Sequence, residues 1–176
     1  MHAKLIKKIY KAFSPAIRPD TVVDNPKHCL ACEETYEAHK NLRISLKQVS
    51  ADDFRLCYIS LDALTSNGLQ YYMPRLLELL LDGADYTQGI LADSGFFMTG
   101  LLKQLVPEKD KDRFTFYTKA QIDVIIEVLK VIRQKYYRDS YEPEWNWDEE
   151  KMESFGEEKE IVELCDNALE FWNKKL

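Results

Sequence analysis

The sequence predicts a mainly α protein, about six helices in an irregular bundle, and three observations lead there. Glycine and proline number only six each in 176 residues, too few for the repeated turns of an all-β fold. Apolar residues recur at three- and four-residue spacing in several separate stretches, the pattern of amphipathic helices. Most of those stretches carry a recognisable start or stop. At most a minor strand pair fits, near residues 42–61. A chain of this length buries about 70% of its unfolded surface without help from disulfides or metal. The expected organisation is a single domain. Its parts are a helical core over 1–138, an acidic Trp-containing segment over 139–158, and a C-terminal helix over 159–176 packed on the same core.

Residues 3–13 (AKLIKKIYKAF) set Leu5, Ile6, Ile9, Ala12 and Phe13 on one face and Lys4, Lys7, Lys8 and Lys11 on the other. Pro15 ends that helix, because proline disfavours the helical conformation of the residue before it. A basic amphipathic helix can lie on an anionic membrane; with two turns and one aromatic, packing of the apolar stripe on the core is the preferred reading. Residues 14–27 hold three prolines and form a loop. Asp24 or Asn25 can cap the next helix, with Pro26 at its first position, where the missing N–H costs nothing, and the helix running from about Lys27 to Asn41. Residues 42–58 are ambiguous, although Ser50-Ala51-Asp52-Asp53 has the form of a helix start.

The centre of the chain is Leu61 to Asp82, LDALTSNGLQYYMPRLLELLLD. Thr65 or Ser66 caps a helix kinked or restarted at Pro74, and Leu69, Tyr72, Met73, Leu76, Leu77 and Leu80 form its main stripe. Leu79 and Leu81 widen that stripe until the end is apolar on most sides, which calls for burial. Asp82-Gly83 stops it, glycine being the residue that takes the left-handed C-terminal conformation cheaply. Residues 85–105 read as helical but carry three glycines, each costing about 1 kcal/mol against alanine inside a helix, so two short helices also fit. Thr118 and Gln121 form a capping box ahead of the clearest helix. There Ile122, Ile125, Ile126, Leu129, Ile132 and Tyr136 make one stripe, and Val124, Val128 and Val131 a second. A last helix, about Lys159 to Lys175, uses Ile161, Leu164, Cys165, Ala168, Leu169, Phe171 and Trp172.

The net charge of −6 is uneven: residues 1–50 carry nine Lys/Arg and five Asp/Glu, a balance of +4, and the remainder carries −10. A net acidic chain is a poor candidate for nucleic acid, whose binding depends on clustered Lys and Arg. The N-terminus alternates lysine with apolar residues and lacks a secretory pattern. The apolar runs fall well short of the roughly 20 residues that span a bilayer. The expected setting is therefore cytoplasmic, with its four cysteines as free thiols. Residues 139–163 hold eleven Asp/Glu and two Lys. Such a run is ordinarily flexible and solvated, but Trp145 and Trp147 are better suited to anchoring than to solvation.

One stretch carries candidate chemistry: His28-Cys29-Leu30-Ala31-Cys32-Glu33. On a helix begun at Pro26, Cys29 and Cys32 lie one turn apart on one side and His28 lies one turn before Cys32. Thiolates are favoured near a helix N-terminus. Zinc is one reading, with His28, Cys29 and Cys32 as ligands. No second Cys-x-x-Cys exists, so the rest of the site would come from Cys57, Cys165 or Glu33 through tertiary contact. His39 stands about 10 Å further along a straight helix than Cys32 and could not share its ion. A dithiol redox pair is another reading, lacking the βαβ context that usually holds one. The plain alternative, two incidental and partly buried thiols at a helix start, is the one the sequence favours. Ser60, Ser66 and Ser94 lack a nucleophile elbow, and Gly89, Gly95 and Gly100 match no nucleotide fingerprint. For Tyr71 and Tyr72 the choice is between core packing, which is preferred, and the wall of a ligand pocket.

Four blocks together resemble a bacterial family known only as a domain of unknown function. They are Ile9-Tyr10-Lys11-Ala12-Phe13, the Cys29-x-x-Cys32-Glu33 segment, the QYYMPRLLELLL core, and Arg113-Phe114-Thr115-Phe116-Tyr117-Thr118 leading into the apolar helix. The resemblance covers roughly residues 5–135 and implies a small helical bacterial protein; it transfers no activity and no site residue. The favoured function is a non-enzymatic interaction module, of the kind that includes small acidic immunity proteins. Trp145, Trp147, Asp148 and Glu149 would meet a basic protein partner. The alternatives are a zinc protein built on Cys29 and Cys32, and an enzyme with a pocket near Tyr71 and Tyr72.

Overall fold

The computed structural model describes residues 2–50, 53–54, 59–83, 94–106, 111–141 and 149–176. The protein is mainly α. It holds α1 (Ala3–Ala12), α2 (Leu30–Asn41), α3 (Ser66–Gly83), α4 (Ser94–Gln104), α5 (Lys119–Tyr141) and α6 (Glu149–Asn173). Short 3-10 helices occupy Leu46–Gln48 and Lys111–Phe114, and no strand occurs among the described residues. None of the described helices is long and apolar enough to cross a membrane. The chain forms two compact units, one of Met1–Leu79 with Pro107–Tyr117 and one of Leu80–Val106 with Thr118–Leu176.

In the first unit α1 buries Leu5 and Ile9 and leaves Lys4, Lys7, Lys8 and Lys11 exposed, as its periodicity requires. Tyr10 donates its hydroxyl proton to Glu78 Oε2 at 2.6 Å. Arg75 Nη1 holds the same oxygen at 2.7 Å, and Arg75 Nε donates to the Val49 carbonyl at 2.5 Å. One half-buried ion pair thus fixes α1, α3 and the segment after α2 to each other. Arg113 Nη2 donates to the carbonyls of Leu61 at 2.6 Å and Leu64 at 3.0 Å, which ties residues 111–117 to the approach to α3. The described residues of the ambiguous stretch carry two local caps. Ser45 and Gln48 exchange side-chain bonds across the 3-10 helix, and Ser50 and Asp53 do the same at the predicted helix start.

Two boundaries differ from the sequence reading. α2 begins at Leu30, not near Lys27. Asn25 closes a turn instead of capping the helix: its Oδ1 accepts from Lys27 N at 3.1 Å and its carbonyl from His28 N at 3.0 Å. That use of an Asn side chain competes directly with an N-cap. α6 begins at Glu149, not near Lys159. Glutamates in the first turn complement the helix dipole, and Glu, Lys and Met are good helix formers, so acidity alone was a weak argument against helix there.

α3 runs through Pro74 as one helix. Thr65 is its cap, its Oγ1 accepting from Gly68 N at 3.1 Å and its carbonyl from Leu69 N at 2.8 Å. Gly68 is where the loop after α1 crosses α3. A Cβ there would stand 2.8 Å from Val22 Cβ and 2.9 Å from the Val22 carbonyl oxygen. That oxygen accepts from Thr65 N at 2.8 Å and Val22 is fully buried, so the neighbour has no room to yield. Alanine gains about 1 kcal/mol of helix propensity, against about 1–3 kcal/mol for overpacking. Gly68→Ala is therefore expected to lower stability by up to about 2 kcal/mol. Equal or higher stability in urea unfolding would show that the crossing is loose.

In the second unit the Thr118/Gln121 box forms as predicted. Thr118 N donates to Gln121 Oε1 at 2.9 Å and Gln121 N to Thr118 Oγ1 at 3.3 Å. Ile122, Ile125, Ile126, Leu129 and Ile132 are buried, and so are Val124 and Val128 from the second stripe. α6 packs along α5 and also against α4, burying Ile161, Val162, Cys165, Ala168 and Trp172. Arg133 with Asp166 and Lys103 with Glu160 pair at the surface, where such pairs contribute about 0–1 kcal/mol.

Candidate metal centre

The start of α2 brings together the three residues that the sequence singled out. Cys29 is the N-cap in an extended conformation (φ −159°, ψ 168°), and its carbonyl accepts the first helical bond from Glu33 N at 3.0 Å. Cys32 follows one turn into the helix, and His28 sits in the turn just ahead. Cys29 Sγ and Cys32 Sγ are 3.2 Å apart, and Cys32 Sγ is 3.9 Å from His28 Nδ1. The three donor atoms all lie within 4.8 Å of one another, with His28 and Cys29 exposed and Cys32 half-buried. They therefore face one volume of solvent at the helix N-terminus. Their proximity comes from the cap geometry, and not from a helix begun at Pro26.

The two sulfurs share a hydrogen bond, and this divides their acidity. The Cys32 thiol stabilises a thiolate on Cys29, with a further push from His28, and Cys29 is drawn down to about 7. Cys32 is held above the ordinary thiol range by the same bond to Cys29 and by partial burial. As pH rises through neutrality the pair therefore gives up its first proton and keeps the second, on Cys32. A thiolate is the form that binds metal.

The other donors considered from the sequence are elsewhere. Cys165 is buried on α6, where burial pushes its thiol up to about 12. Glu33 does not belong to the donor group, which among the described residues is the one cluster of its kind. Cys57 lies outside the described residues. So do Trp145, Trp147 and Asp148 of the acidic run, while Glu149 is the first residue of α6.

His39 is spoken for. It is buried on α2 with Nδ1 2.8 Å from the Tyr72 hydroxyl and Nε2 2.8 Å from the Pro19 carbonyl. Arg18 caps the end of the same helix, donating to the Leu42 carbonyl at 2.7 Å and to the His39 carbonyl. Tyr72 is fully buried, with the rings of Phe54, His39 and Tyr71 set edge-on around it at centroid distances of 4.9–5.9 Å. These contacts favour core packing at Tyr72. Nothing in the sequence marked Arg18 or the Tyr72 partnership, since both join residues far apart in the chain.

No family model, no curated protein and no solved structure matches the chain.

Proposed function

We propose that this is a small metal-binding protein, taking one zinc-class ion on His28 Nδ1, Cys29 Sγ and Cys32 Sγ. The fourth coordination position is left to water or to a donor from a partner. The convergence of three soft or borderline donor atoms within 4.8 Å on an exposed cap is the observation that carries it. The distances suit the ion. Zinc–sulfur bonds of about 2.3 Å at tetrahedral angles set two sulfurs about 3.8 Å apart, and sulfur and nitrogen about 3.6 Å apart. The pair at 3.2 Å has to open by about half an ångström, and the Cys32–His28 spacing of 3.9 Å has to close by about a third. Both are side-chain torsional adjustments at an exposed site. Two thiolates and a neutral imidazole form the Cys2His set that zinc uses where it keeps an open position.

Titration of reduced, chelator-stripped protein with zinc is expected to saturate at one ion per chain, and Cys32→Ser to abolish that stoichiometric binding. Thermal unfolding of Cys32→Ser without metal should stay close to that of the unsubstituted chain, because the thiol is only half-buried and serine is nearly its size. An unsubstituted chain that takes up no zinc above the level of Cys32→Ser would refute the proposal. Because metal displaces protons from the thiols, affinity is expected to fall about tenfold for each pH unit below 7 per proton released. A flat profile between pH 6 and 8 would mean the thiols are not the ligands.

For the acidic run the proposal stays with its sequence: Trp145, Trp147, Asp148 and Glu149 as a surface for a basic protein partner. Affinity capture from the native host with Trp145→Ala/Trp147→Ala beside the unsubstituted chain tests it, and identical recovery from both would end it.

A further inference from the structure

We propose that Cys29 and Cys32 are also an oxidisable pair. A low-molecular-weight disulfide closes them to an intramolecular disulfide, and closure withdraws both sulfur donors from the metal. The closure itself needs only the two cysteines; its consequence for metal rests on the reading above.

Geometry carries the inference. A disulfide needs Cα atoms about 4.4–6.8 Å apart, and residues three apart on a helix lie about 5 Å apart from its rise and radius. The sulfurs already stand at 3.2 Å, so reaching the bonded distance of about 2.05 Å requires an approach of about 1.2 Å. Cys29 supplies it without disturbing α2. As the N-cap it lies outside the helical conformation, and its carbonyl bond to Glu33 N does not depend on its side-chain torsion. Access decides the order of events. Cys29 is exposed and Cys32 is half-buried behind it, so an incoming disulfide meets Cys29 first and Cys32 resolves. Cys165 is buried and out of reach of such a reagent.

The steps balance. The Cys29 thiolate attacks one sulfur of glutathione disulfide, the reagent's S–S bond breaks, and one glutathione leaves as a thiolate with the bonding pair. The Cys32 thiolate then attacks the Cys29 sulfur of the mixed disulfide, and the second glutathione leaves in the same way. Two cysteine thiols are oxidised, one glutathione disulfide is reduced to two glutathione thiols, and the two protein protons end on those products.

Reduced, metal-free full-length chain equilibrated across glutathione disulfide/glutathione ratios tests this. Remaining thiols are alkylated and the peptide holding Cys29 and Cys32 is mapped by mass. The expected result is loss of both alkylation sites together, with no accumulated glutathione adduct, and loss of zinc binding in the closed form. Cys32→Ser, lacking the resolving thiol, is expected to stop at a glutathione adduct on Cys29. Two thiols that remain alkylatable in excess glutathione disulfide, or a persistent adduct on the unsubstituted chain, would overturn the proposal. Zinc titration of the same reduced chain separates the two readings. A chain that binds zinc but never closes removes the switch. One that closes but never binds zinc removes the metal reading and the consequence drawn from it.

Discussion

Trp172→Ala is expected to lower the stability of the second unit by about 3–5 kcal/mol, the largest effect of any single substitution considered for it. The indole is fully buried near the end of α6, with the Phe171 ring edge-on at 5.3 Å. Its Nε1–H donates to the Leu105 carbonyl at 3.0 Å, just beyond the end of α4. Truncation removes the largest fully buried side chain among the described residues and leaves a cavity that two packed helices cannot fully close. It also strips a carbonyl at a helix end of its donor, where the unmet group costs about 1–3 kcal/mol. Trp172→Phe separates the two contributions in part: it keeps most of the ring volume but loses the N–H and a portion of the indole, so about 1–3 kcal/mol is expected. Far-UV circular dichroism in a urea series is the suitable readout, because the chain has three tryptophans and fluorescence would mix them. A loss under about 1 kcal/mol for Trp172→Ala would mean the indole does not anchor α6.

How much of this was legible in the sequence depended on the distance between interacting groups. The Thr118/Gln121 box and the Thr65 cap were readable because both partners sit within one turn of chain, where a side chain and a backbone N–H meet by construction. The stripes of α5 and α6 were readable for the same reason, one helical period repeating along one segment. Asn25-Pro26 failed because its residues satisfy two local structures equally well. A helix start and an Asx turn both want a short acceptor ahead of a proline, and only the rest of the fold chose the turn. The Cys29/Cys32 spacing survived that error, since residues three apart converge at a cap as well as inside a helix. The contact between His39 and Tyr72 bridges 33 positions, and that between Arg18 and Leu42 bridges 24. Neither leaves a local trace, so the sequence offers His39 only for comparison with the nearby metal-ligand candidates and does not disclose its role in the core.

That role leads to the second large effect, a stability that falls with pH through His39. The Pro19 carbonyl can only accept, so the nitrogen facing it, Nε2, carries the proton. Nδ1 then has a bare lone pair and accepts from the Tyr72 hydroxyl. Both ring nitrogens are satisfied only in the neutral form. Burial holds His39 below the usual imidazole value, and the Arg18 guanidinium beside it adds to this, while the bond to Pro19 opposes it more weakly. A depressed folded value means that the unfolded chain binds the proton more readily. Stability is therefore complete above the unfolded value of about 6.5 and is lost as pH falls below it, down to the folded value, by at most about 1.4 kcal/mol per unit. His39→Phe is expected to cost about 2–5 kcal/mol at pH 8, because it strands the Tyr72 hydroxyl in the core and takes the donor from the part-buried Pro19 carbonyl. It should also remove the His39 contribution to the slope. Urea unfolding of both chains between pH 7.5 and 5.5 isolates that contribution, since all other titrating groups are common to the two. If the two stability curves run parallel through this range, His39 is not the neutral, doubly bonded imidazole that its neighbours require.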